Sequence, residues 1–304
     1  MHRPRSVPKT ATALLLASIL LGACVTQAHG AIGLRRAGGG FTALGAQVAA
    51  SNAPPVAAGA ALDGLEARMQ LATVQAADVG ATISVLVLDR TTGKTVSNGN
   101  NSEIATASVA KLFIADDLLY QALTEHGRLS PDDRKALDMM LEASDDDAGE
   151  AFWGRGGGSD IVTRVASRYG LPSTGPGSDG RWWNTTTTAS DLVRYYDMLL
   201  DGKGGLMLQA ADIIVGDLAQ STPQGVDGYP QRFGIPDGLY GEPIAVKQGW
   251  MCCIGDDWMH LSTGVIGADR RYVMVIESLQ DSDDNTARNT ITEAVKTMFP
   301  NGHI

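Results

Sequence analysis

Ser108-Val109-Ala110-Lys111-Leu112-Phe113-Ile114-Ala115-Asp116-Asp117-Leu118-Leu119-Tyr120 is the stretch on which the reading of this chain turns. Val109, Leu112, Phe113, Asp116, Leu119 and Tyr120 follow the i, i+3, i+4 spacing of one helix face, and no Gly or Pro interrupts the run before Gly127. The spacing predicts a helix over Ser108–Glu125. Ser108 then stands in the first turn, where unsatisfied backbone N–H groups favour developing negative charge. Lys111, three residues on, shares its face. Burial lowers an ammonium pKa, so a neutral amine here could take the serine proton. Taken alone, the tetrapeptide is also what a capped helix with a snorkelling lysine looks like.

Two further elements follow in order. Leu137, Met140 and Leu141 close a short helix that runs into Ser144-Asp145-Asp146, and a second helix begins at once around Ala148, Phe152 and Trp153. A serine hydroxyl at such a junction can relay a proton to a leaving group. The three residues are also good helix caps, and the two roles are compatible. Gly241-Glu242-Pro243-Ile244-Ala245-Val246 is an extended approach to Lys247-Gln248-Gly249. It reads as a strand end whose glycine admits a substrate backbone, or as an edge lysine that discourages strand pairing. One S-x-x-K match is weak. Three elements in order, each in suitable local structure, sketch a serine hydrolase whose base is lysine.

These motifs resemble those of the penicillin-recognising serine hydrolases, which include class A β-lactamases and D,D-peptidases. A more specific resemblance, to alanine-rich lipoproteins, covers about residues 70–304; Ile104–Leu119, Ser178–Asn184, Tyr195–Gly202, Ala245–Leu261 and Arg271–Leu279 carry it. The resemblance implies that Ser108 attacks a carbonyl, Lys111 accepts its proton, Ser144 passes a proton to the leaving group and Lys247 supplies positive charge. The N–H groups of Ser108 and Trp250 would hold the oxyanion. Asp146, Gln248 and Gly249 would line the substrate site. No cofactor or metal is implied. Three departures stand out. Gln248 replaces the family's Thr or Ser, Asp146 replaces its Asn, and the loop Gly170–Asn184 has no glutamate to activate a deacylating water. Asp179 is the only acid on that loop. The acidic pair Asp256-Asp257 beyond Lys247 is expected to disfavour a substrate carboxylate. An acyl-serine should therefore be long-lived and β-lactamase turnover inefficient.

The ends of the chain set its location. Arg3, Arg5 and Lys9 precede the apolar Ala11–Leu21, which is too short to span a bilayer. Leu21-Gly22-Ala23-Cys24 resembles a bacterial lipobox, with residues 1–23 as signal peptide and Cys24 lipidated; a plain secretory signal is the alternative. Lipid on Cys24, palmitate included, would hold the protein on the outer face of the cytoplasmic membrane, facing the cell wall. Residues 24–61 are rich in Ala and Gly with Pro54-Pro55, and read as a flexible tether. The formal charge is −10, and removing the three cations of residues 1–23 takes it to −13. That argues against nucleic acid as a partner.

The catalytic domain is expected over 62–304. With 44% apolar and 19% charged residues it has ordinary globular composition. A helix opens near Leu62, with Leu65, Met69 and Ala72 on one face. The strand Ala81–Leu88 and a turn at Thr92-Gly93 follow. Helical spacing then dominates through Ile161–Tyr169, Ser190–Leu200 and Leu208–Leu218. Extended runs at Trp258–Gly267 and Tyr272–Leu279 flank a hairpin at Ala268–Arg271, and a helix over Asn285–Phe299 closes the chain. The fold class is α/β (α+β): an antiparallel sheet built from N- and C-terminal strands, flanking helices, and an inserted helical lobe. Cys252 and Cys253, adjacent on a strand, read as buried thiols on opposite faces, with a vicinal disulfide as the alternative. Asp281–Asn285 begins like a calcium loop, but Thr286 stands where glycine is needed, so it reads as a helix cap. Trp182-Trp183 pins a long loop or lines a sugar or peptide cleft. The substrate class is a cell-wall peptide or a related amide or ester. The rival is a catalytically weak domain binding cell-wall material or a protein partner.

Overall fold

The structure, a computed structural model, describes residues 62–304. The predicted signal peptide, Cys24 and tether lie outside the described residues. β1 (Ala81–Asp89) is buried along nearly its whole length, as a run of Ile, Val and Leu with few polar interruptions demands. It pairs antiparallel with β2 (Lys94–Ser97) on one side and with β7 (Tyr272–Gln280) on the other. β7 pairs with β6 (Asp257–Ile266), and β6 with the edge strand β5 (Ile244–Ile254), giving the order β2-β1-β7-β6-β5. Strands from both ends of the chain thus meet at the β1–β7 seam, as the sequence pattern predicts.

Each sheet face has its own core. On one face α1 (Leu65–Asp78) and α9 (Asp284–Met298) pack Leu65, Met69, Ile291 and Val295 against Ile83, Val85, Met274 and Ile276. Asp283 caps α9 by accepting the Thr286 N–H at 3.0 Å, which is the cap reading of that acidic run. On the other face lies the helical lobe. It comprises α2 (Lys111–Gln121), α3 (Pro131–Glu142), α4 (Asp146–Arg155), α5 (Asp160–Tyr169), α6 (Ala189–Leu200) and α7 (Leu208–Ala219). Phe113, Leu192, Tyr195, Tyr196 and Ile214 fill the space against Leu261, Val273 and Val275. Each such side chain taken fully from water contributes roughly 1.5–3 kcal/mol.

Asp116 and Asp117 explain why acids interrupt the apolar run of α2. Both are buried, and both are paired. Asp116 accepts from Arg168 and from the Tyr169 hydroxyl, and Asp117 takes a two-pronged ion pair from Arg164 at 2.9 and 2.7 Å. These pairs lock α2, which carries the lysine, onto α5.

The structure departs from the sequence reading in three places. Lys247 is inside a strand, not at its end, because β5 continues to Ile254 and turns directly into β6. A small second sheet pairs β3 (Ile104–Ala105) with β4 (Thr186–Thr187); at two residues each, neither strand leaves a periodic signal. Cys252 and Cys253 form a disulfide and are exposed. The reason is register: β5 shifts between Met251 and Ile254, so the cysteines fall on an irregular stretch past the packed sheet, with no core on either side.

Candidate active site

The turn that carries Ser108 is held from both flanks. Thr106 donates its amide to Thr185 O at 2.8 Å and accepts Val109 N–H at 3.0 Å. Between them Ala107 takes φ 43°, a left-handed conformation unusual for a residue with a Cβ. A short 3-10 turn, Ala107–Ala110, follows and runs into α2. Ser108 is nearly buried at 8% exposure, and Lys111 is wholly buried.

Lys111 Nζ lies 3.0 Å from Ser108 Oγ, 2.7 Å from Ser144 O, 3.3 Å from Ser144 Oγ and 2.5 Å from Asp146 Oδ1. An ammonium has three protons, so these four acceptors compete. Burial pulls the Lys111 pKa below the ordinary lysine value, and the Asp146 carboxylate opposes that pull. Gly149 makes room: a Cβ there would sit 3.1 Å from Lys111 Cε. The indole of Trp182 covers the amine from the other side, its ring centroid 4.7 Å from Nζ.

Ser144 sits between α3 and α4 with φ 56°, the second left-handed non-glycine residue of the site. Asp145, not Ser144, caps α4, accepting the Asp147 N–H at 3.0 Å. The Ser144 hydroxyl is thereby free to accept from Lys247 Nζ at 2.9 Å, while Lys111 approaches from the opposite side. Lys247 is also buried; desolvation, and then the nearby Lys111 charge, depress its pKa well below the ordinary value. Two buried amines sharing one hydroxyl cannot both hold a full charge cheaply, which is why both lysines titrate below the ordinary value.

Three of the other predicted site residues are placed as follows. Gly249 is where β5 meets the Ser108 turn: a Cβ there would stand 2.5 Å from Thr106 O and 3.3 Å from Val109 Cγ2. Trp250, next on the open strand edge, lines the cleft. Gln248 does not. It is fully buried, and its amide donates to Phe233 O at 2.6 Å and Gln231 O at 3.0 Å. Strand alternation turns it away from the face that Lys247 uses.

The cleft over Ser108 has a volume of about 190 Å³ and is lined by Ala107, Ser108, Asp146, Trp182, Trp183, Asp227, Trp250 and Met251. Trp182 both pins its loop, donating to Glu150 at 3.1 Å, and lines the cleft. Asp179, the loop's only acid, is turned outward, bound to the Arg181 amide and to Asn184 Nδ2. Asp257 is remote as well. It pairs with Ile254 at the hairpin tip, six residues along β6 from Thr263, the partner of Lys247, which is about 20 Å at strand rise. Besides Asp146, a second acid reaches the cleft, Asp227, which the sequence reading missed. It stands in an irregular turn with no periodicity or motif to mark it.

No family model matches the chain. Proteins named lipoprotein LppW in Mycobacterium tuberculosis and Mycobacterium bovis are 69% identical over 240 residues, covering 79% of this chain and 76% of theirs. The chain belongs to the LppW lipoprotein family. Solved structures extend the likeness to fold. A β-lactamase from Chitinophaga pinensis superposes with a TM-score of 0.61 at 14% identity, over 77% of this chain and 98% of that one. PBP-A does so with 0.63 at 18% identity, over 79% and 96%. A variant of PBP-A has been solved as an acyl-enzyme complex with penicillin G. The LppW-family chain thus has the fold of the penicillin-recognising serine hydrolases.

Proposed function

We propose that this protein is a membrane-anchored, exported serine hydrolase that acts on a cell-wall peptide or related amide or ester through an acyl-serine. The observation that carries the reading is the 3.0 Å contact between Ser108 Oγ and the buried Lys111 amine. In the first step a neutral Lys111 takes the Ser108 proton as Oγ bonds to the substrate carbonyl carbon, and the oxyanion is met by the N–H groups of Ser108 and Trp250. The proton then passes from Lys111 to Ser144 Oγ, and Ser144 gives its own to the leaving nitrogen or oxygen as the scissile bond breaks. Lys247 keeps the Ser144 oxygen polarised. Water later cleaves the acyl ester and restores Ser108. That last step is slow on this reading, because the loop over the site brings indoles and no free carboxylate to the water. Anchoring rests on Leu21-Gly22-Ala23-Cys24, with residues 24–61 as tether and 62–304 as the hydrolase domain. Its check is phase separation from a native host, where Cys24→Ala should leave the detergent phase or stay unprocessed.

One observation favours the rival reading, a weakly catalytic binding domain. Asp146 holds Lys111 at 2.5 Å and stabilises it as an ammonium, which cannot accept a proton. A fluorophosphonate probe read by intact mass separates the two. A single adduct mapped to Ser108, and absent from Ser108→Ala, supports the hydrolase; an unmodified wild type supports the binding domain.

A further inference from the structure

The cleft differs in charge from one built to hold a carboxylate. Its lining carries two carboxylates, Asp146 and Asp227, three indoles, Trp182, Trp183 and Trp250, and no arginine or lysine. The two lysines of the site lie beneath this lining, buried and engaged by Asp146 and Ser144. Gln248, the one polar side chain on the lysine strand that could have met a carboxylate, donates into the protein interior. Asp227 is exposed, and its hydrogen bond is from the Tyr229 amide at 2.9 Å. That bond, together with the close approach of Gly225 to both Asp227 Oδ1 and the Trp250 ring, fixes the carboxylate beside the indole. Trp250 is itself held flat against Tyr229, with ring centroids 4.8 Å apart. An indole face next to a carboxylate in the cleft wall is what an ammonium group needs: a point charge for its N–H donors and a π face for its alkyl stem.

We infer that the substrate of this site carries a primary ammonium group, seated between Asp227 and Trp250. The inference rests on the reading of Ser108 as the nucleophile. Asp146 adds to the negative field of the cleft but is spent on Lys111, so Asp227 sets the preference. A peptide whose acyl-side residue has a free side-chain amine fits the site; one ending in a free carboxylate beside the scissile bond is repelled.

The test uses three p-nitrophenyl esters of one acyl chain, bearing a terminal amine, its acetamide or its succinamate. Acylation of the full-length protein is followed by nitrophenolate burst and intact mass, with a fluorophosphonate run in parallel. The amine ester should acylate roughly five to ten times faster than the acetamide, and the succinamate should be slowest, given one partly exposed ion pair and one indole face. Asp227→Asn should bring the amine-to-acetamide ratio towards one, whereas Asp256→Asn, at the hairpin tip, should leave that ratio unchanged. Raising the salt should shrink it. Equal rates, or a faster succinamate, with Ser108 still labelled by the fluorophosphonate, overturn the ammonium inference and leave the nucleophile standing. Failure of every ester and of the fluorophosphonate to modify Ser108 overturns both.

Discussion

The two walls of the cleft over Ser108 are made of different material. On one wall, Ser108, Lys111, Ser144 and Lys247 come from three separated segments and are linked in a chain by hydrogen bonds of 3.3 Å or less. Two residues in left-handed conformation, Ala107 and Ser144, are held there by surrounding structure. On the opposite wall the loop Gly170–Asn184 presents Trp182 and Trp183, and turns Asp179 away to bind its own backbone and Asn184. The Ser108 side of the cleft is a dense hydrogen-bonded network, whereas the loop side offers aromatic rings and keeps its own acid turned outward.

The sharpest way to break this contrast is to remove the first wall. Ser108→Ala should end acylation altogether, and Lys111→Ala should slow it by roughly 10²–10⁴-fold, the range for a positioned base. Stopped-flow acylation by an activated ester, with circular dichroism to confirm folding, measures both. A Ser108→Ala protein that turns over at the wild-type rate places the nucleophile elsewhere.

The second largest effect should come from the seam between strand and turn. Gly249→Ala sets a methyl 2.5 Å from Thr106 O and must push β5 away from the Ser108 turn. A displacement near 1 Å should cost on the order of 100-fold in acylation. Gly216→Ala, on α7 with open space around it, is the control and should leave the rate unchanged.

These outcomes also bear on what the sequence can convey. The helix that carries Lys111 and the β1–β7 architecture were legible because periodicity encodes them, although Ser108 itself falls in the 3-10 turn before α2 rather than in its first turn. Gln248, Asp227 and the cysteine pair were not. The direction of the Gln248 side chain depends on which face of β5 meets the lobe. The position of Asp227 depends on a turn that the Tyr229 amide, two residues on, ties to its carboxylate and that Trp250 of β5 holds by stacking on Tyr229. Cys252 and Cys253 escape burial only because the β5–β6 register shifts, and register is a property of two strands together.

Burial shifts the titration of groups outside the Ser108–Lys111–Ser144–Lys247 network too, which offers a smaller, independent comparison. Glu277 on β7 is buried, with only the Ser84 hydrogen bond to ease it, and desolvation pushes its carboxyl up to about 7 from 4.5. The folded state therefore binds more protons than the unfolded chain between these values. Stability falls as pH rises through that window and the loss is complete above it, amounting to about 3 kcal/mol. Glu277→Gln should remove this slope, so its urea-denaturation stability should exceed wild type at pH 8 and match it near pH 4. Parallel pH curves for the two proteins would count against a buried, raised carboxyl.

The smallest effect tests the brake on the base. In Asp146→Asn the Lys111 ammonium loses the carboxylate that stabilises it, so its pKa falls further below the ordinary lysine value. The rising limb of the acylation pH profile should move to lower pH, and the rate at pH 7 should increase by a few-fold. A limb that stays in place assigns the proton acceptor to another group.

The central claim, acylation without efficient deacylation, is tested most directly by intact-mass kinetics after mixing with benzylpenicillin or nitrocefin. The account predicts slow formation of a single adduct on Ser108 that persists for many minutes, with negligible release of hydrolysed drug. Multiple turnovers per second would contradict it and assign a water-activating role to a carboxylate of the cleft, Asp227 first.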